Sequence, residues 1–133
     1  MTEWEAFLPL MTKQPKIRWL SEPEEHDYPA ALSYLCLIYD RKSAANLVRR
    51  LEKAKPAVFK AKDIFRASRL SLLGVSNSHV GNDRKEILAN KKISPLLLVR
   101  DMANGGVIIA DGYHRLCAVY AICEDAEIPC RIV

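Results

Sequence analysis

The amino-acid sequence predicts an α+β domain with a helical front and a back built from short strands. Two stripes of apolar residues at helical spacing mark the front: Ala31, Leu32, Leu35 and Ile38, then Ala44, Leu47, Val48, Leu51 and Ala54. Two apolar runs flanking an Asn104-Gly105-Gly106 turn mark the back, 96–99 and 107–110. The length agrees: 133 residues, 50% hydrophobic and 27% charged, are one domain's worth of ordinary globular chain, able to bury a core without disulfide or metal.

Taken in order, residues 1–26 are broken by Pro9, Pro15 and Pro23 and read as an arm that packs on the body through Trp4, Phe7 and Trp19. A buried helix is expected over 27–39, with Asp27 as N-cap and Pro29 just inside. A second begins near Ser43 and stops before Pro56, with Arg49, Arg50 and Lys53 on its outer face. A third, over 60–67, is anchored by Phe59, Ile64 and Phe65. Residues 70–75, Leu-Ser-Leu-Leu-Gly-Val, read as a strand. Asn77, Ser78 and Asn82 suggest a turn and an N-cap before a helix over 83–90. Strands at 96–99 and 107–110, a helix at 113–122 and a strand at 128–133 complete a β-α-β-β-α-β order. The whole is expected to be a single domain, 1–133, in which a helical region over 1–69 packs on a mixed-sheet core over 70–133.

Composition excludes several classes. The longest apolar stretches fall far short of the ~20 residues a spanning helix needs, so no membrane is expected. The opening MTEWEAFLPLMTKQPK carries early glutamates and no basic lead, a poor signal peptide, so a cytoplasmic protein is expected. Cys36, Cys117, Cys123 and Cys130 form no Cys-x-x-Cys pair, and no metal site is expected from them. The net charge of +4 is too small to imply nucleic acid by itself. Between Arg41 and Lys62, however, eight basic residues face a single acid, Glu52, which makes DNA a candidate partner through that segment.

The most informative stretch is VIIADGYHRLCAVY. A strand runs into Asp111-Gly112 and a helix starts at once, so backbone N–H groups at the helix N-terminus are free to hold an anion. Arg115 falls in the first turn, where the helix dipole disfavours a cation. An anion held between it and the N–H groups relieves that conflict. Arg115 paired with Asp111 or Asp125 does so equally well. Lys62, Arg66 and Arg69 recur at near-helical spacing, either as the wall of an anion pocket or as salt-bridged surface residues.

From about Ser71 onward the chain resembles the ParB/sulfiredoxin superfamily, often labelled ParB-like nuclease. The likeness rests on the Pro-Leu-Leu-Leu-Val strand, the glycine turn and the terminal strand with Ile128-Pro129. It rests above all on the elbow, Gly112-Tyr113-His114-Arg115, where members carry Gly-x-x-Arg or Gly-Cys-His-Arg against nucleotide phosphates. Tyr113 stands where sulfiredoxin needs its nucleophilic cysteine, so sulfinic-acid repair is not expected. What the resemblance implies is binding of ATP or CTP, with Mg²⁺, and hydrolysis of the nucleotide or nuclease-like chemistry as the candidate reactions. Gly112, Tyr113, His114, Arg115, Asn77, His79 and Arg69 are the expected ligand contacts. His114 serves as acid or base, and Asp111 orients the elbow or holds the metal.

Overall fold

In a computed structural model, which describes residues 16–74 and 76–133, the chain forms helices on both faces of one mixed sheet. The elements run β1 (Arg18–Trp19), α1 (Asp27–Leu35), α2 (Arg41–Lys53), β2 (Ala57–Lys60), α3 (Ala61–Ser68), α4 (Ser78–Leu88), β3 (Lys92–Ile93), β4 (Leu96–Asp101), β5 (Gly106–Asp111), α5 (Tyr113–Ile122) and β6 (Glu127–Ile132). The main sheet has the order β2-β6-β4-β5; β4 and β6 are parallel, and the two outer pairings are antiparallel. A short parallel ladder joins β1 to β3.

Period-2 alternation in β4 explains the layers. Leu96 and Leu98 join Ile109, Ile128 and Cys130 on one face, where Ile64 of α3, Val80 and Ile87 of α4, and Leu116 and Val119 of α5 cover them. Leu97 and Val99, with Ala110, face the other way and meet Ala31 and Leu35 of α1 and Ala44, Val48 and Leu51 of α2. A strand covered on both sides reads as a continuous apolar run, and Leu96 to Val99 are all buried. Each such leucine contributes roughly 1.5–3 kcal/mol of burial.

Several boundaries differ from the sequence expectation. Helix α1 stops at Leu35, because the N–H groups of Leu37 and Ile38 turn back to carbonyls three residues earlier. The chain is thereby freed for Asp40, whose carboxylate accepts from the Ser43 N–H at 2.8 Å and caps α2; this hydrogen bonding holds the Asp40 carboxyl below its ordinary value. Asp27 is the first helical residue rather than the cap, and its side chain is used elsewhere. Residues 70–74 form no strand, since the Leu-Ser-Leu-Leu run has no ladder partner there; Val75 lies outside the described residues. A strand the sequence reading missed, β2, hydrogen-bonds to β6, with Phe59 opposite Ile128. The N-terminal half therefore adds a strand as well as helices to the sheet. Helix α4 starts at Ser78, five residues earlier than expected. Trp19 packs on the core as expected; Trp4 and Phe7 lie outside the described residues.

Candidate functional site

The elbow is where β5 gives way to α5. Gly112 stands at the helix N-cap with φ +111°, a conformation side chains rarely adopt. A Cβ there would also sit 2.8 Å from Leu96 Cγ and 2.9 Å from an Arg115 guanidinium nitrogen. No side chain caps α5, so its first N–H groups stay free for a ligand or water. In front of them is a polar cleft of about 160 Å³, lined by His79, Asn82 and Asp83 from α4 and by Asp111 to Arg115. The imidazole rings of His79 and His114 pack against each other, tilted by 36°, with centroids 4.8 Å apart.

A second cavity, about 340 Å³, opens on the other side of the same turn. It shares Asp111 to His114 with the cleft, and Ala30, Tyr34, Leu70, Ile109 and Ala110 complete its lining. The Tyr113 hydroxyl donates to the Ser71 carbonyl and ties the 70–74 segment to the elbow.

Beneath the turn, Arg115 is already engaged. One of its guanidinium nitrogens lies 3.2 Å from Asp111 Oδ2, 3.3 Å from the Pro95 carbonyl and 3.8 Å from Asp27 Oδ2. The Ser94 hydroxyl donates to Asp27, and the Glu24 N–H donates to Ser94 at 3.1 Å. Asp27 is 2% exposed, so Arg115 neutralises a buried carboxylate reached across the sheet from α1. Burial and the neighbouring Asp27 push the Asp111 carboxyl up against the opposing pull of Arg115. Burial likewise raises Asp83, while Arg115, His114 and His79 act against it. The dipole conflict at Arg115 is thus relieved by carboxylates of the protein itself.

Of the expected site residues, Asp111, Gly112, Tyr113, His114, Arg115 and His79 come together around the cleft. Asn77 does not join them. Its side chain caps α4 by accepting from the His79 and Val80 N–H groups at 3.0 and 3.2 Å. Arg69 points to the far end of β5, donating to the Gly105 carbonyl at 3.4 Å. Lys62 and Arg66 pair with Asp125 and Asp63, at 2.6 and 3.6 Å, so the three cations form no anion pocket. The four cysteines are free; burial pushes the Cys130 thiol up to about 12, far from a reactive thiolate.

Sequence reasoning missed Asn82, Asp83 and Asp27. For Asp83 a signal existed: it lies four residues after His79, hence on one face of a helix. It also missed Glu24, His26 and Asp27, whose ligand atoms lie within 4.8 Å of one another, although the guanidinium beside Asp27 opposes a cation there.

No protein-family model matches the chain, and no curated protein or solved structure gives a significant match. Among the described residues no helix is long and apolar enough to cross a membrane.

Proposed function

We propose that this is a cytoplasmic ParB-like protein that binds a nucleotide, ATP or CTP, with its phosphates at the Gly112–Arg115 elbow. The observation that carries the reading is the pair of cavities meeting at one uncapped helix start, a small polar one and a larger one with apolar lining. Phosphoryl oxygens suit the first, where free N–H groups, Asn82 and the two histidines are donors. A base and sugar suit the second, with Tyr34 as an aromatic wall. Tyr113, tied to Ser71, fixes the boundary between them.

Arg115 takes a positioning role in this reading, holding the elbow through Asp111 and Asp27 rather than reaching out as a free clamp. A triphosphate normally travels with Mg²⁺, which prefers carboxylate oxygens. The Asp83 carboxylate, in the cleft and free of any salt bridge among the described residues, is the fitting ligand; Asp111 is occupied by Arg115. If the bound nucleotide is hydrolysed, His114 is the group placed to move a proton. The test is a thermal-shift series with ATP, CTP and GTP, each with and without Mg²⁺. A ligand at 100 times its Kd adds about 2.7 kcal/mol, so a binder is readily seen. No shift with any of them rejects nucleotide binding.

A second reading is DNA binding, favoured by the outer face of α2. Arg41, Lys42, Arg49, Arg50 and Lys53 are exposed there with no ion-pair partner among the described residues. Lys60 and Lys62, by contrast, are drawn to Asp125. Affinity for duplex DNA that collapses between low and moderate salt supports this reading, and its absence at low salt rejects it.

A further inference from the structure

Arg131 is the most buried cation of the described chain, 6% exposed on β6 opposite Leu97. Buried arginines are almost always matched by a carboxylate, as Arg115 is. Arg131 is not. Its one hydrogen bond goes to the Ser21 carbonyl at 3.3 Å, and no carboxylate lies within 4.0 Å of it among the described residues. It lines an open cavity of about 430 Å³ together with Ser21, Glu22, Tyr28, Glu52 and residues 53–56. Lys53 and Lys55 reach the same cavity, and the Tyr28 hydroxyl is a further donor. Three cations against two acids leave the lining positive, with its most desolvated charge unmatched.

We propose that this cavity binds the oxyanion head of a small molecule, a phosphate monoester or a carboxylate, on the fork of Arg131. The planar guanidinium offers paired donors to two oxygens of one anion, a geometry lysine cannot supply. Lys53 and Lys55 draw the anion in from solvent, and Tyr28 donates beside the fork. At about 430 Å³ the cavity is within the range of small-molecule sites. This site is separate from the elbow: the linings share no residue. It stands whether or not the elbow binds a nucleotide.

The test is calorimetric titration of the full chain with inorganic phosphate and, separately, with succinate, which distinguishes the two head groups. At least one is expected to bind, and Arg131→Met is expected to weaken it roughly ten- to hundred-fold. The melting temperature of that variant is expected to hold or rise, because an unmatched buried charge is removed. Lys55→Gln, at an exposed position, keeps the experiment decisive if Arg131→Met does not fold, and should weaken the same anion several-fold. Amide-resolved NMR of the ¹⁵N-labelled chain places the anion, with saturable shifts expected on Tyr28, Lys55 and Arg131. Three results overturn the proposal: neither anion binds, binding survives both Arg131→Met and Lys55→Gln, or the saturable shifts fall only on Gly112 to Arg115 at the elbow.

Discussion

The two interior arginines lie in opposite electrostatic situations. Arg115, with a side chain 18% exposed, touches two carboxylates and a carbonyl through one nitrogen, while its buried Nε has no hydrogen-bond partner among the described residues. Arg131, more buried, touches one carbonyl. The difference teaches that a buried guanidinium is not by itself a ligand clamp. At the elbow the cation fixes the shape of a turn, and in the proposed function binding falls to N–H groups and histidines. In the second cavity the cation itself is what remains to be satisfied.

Removing each charge in turn should have unequal effects. Arg115→Met strands Asp27 and Asp111 as uncompensated acids, and should cost about 3 kcal/mol or more in a denaturant titration. Arg131→Met should cost little. Equal losses would mean that Arg131 is matched after all, by Glu22 or Glu52 at longer range. Next in size is Gly112→Ala, which forces a side chain into a left-handed turn and against Leu96; about 1–3 kcal/mol is expected, together with lost binding at the elbow.

A smaller effect concerns pH. The Asp83 and Asp111 carboxyls are both raised above the ordinary 3.8, so the folded state holds their protons more tightly than the unfolded chain does. The stability this lends is complete below pH 3.8 and is lost as pH rises through the folded values. Asp83→Asn should therefore flatten the pH dependence of the melting temperature above pH 3.8. An unchanged profile would show that its burial has no consequence. Smallest of all, reversing the charges of Arg49, Arg50 and Lys53 should change stability by less than about 0.5 kcal/mol per site, because these side chains are solvated. The same variant should release any DNA retained at low salt.

The elbow was legible in the sequence because everything that makes it is local. A strand of apolar residues, a glycine and a helix over 113–122 are contiguous, and the helix ends where its spacing says. What was not legible depends on contacts distant along the chain. Ala57 to Lys60 are too short and too exposed to announce a strand, although Val58 and Phe59 favour one, and they form β2 by pairing with β6. Leu70 to Leu73 carry a strong strand signal and fail because no neighbour pairs with them. Asp27 reads as a helix cap from its own neighbourhood. Its partner Ser94 is 67 residues away, and only the folded sheet brings Arg115 between it and Asp111. The α+β class followed from periodicity; the placement of helices on both faces of β4 followed from the unbroken Leu96–Val99 burial.

If the elbow holds a nucleotide, its N–H groups hold the phosphates. Amide-resolved NMR titration of the ¹⁵N-labelled chain with CTP and with ATP, in the presence of Mg²⁺, tests it most directly. Saturable shifts are expected on Gly112 to Arg115, His79 and Asp83, with Tyr34 and Leu70 following as the base enters its cavity. Shifts confined to the Arg131 cavity, or no saturable shift with either nucleotide, would contradict it.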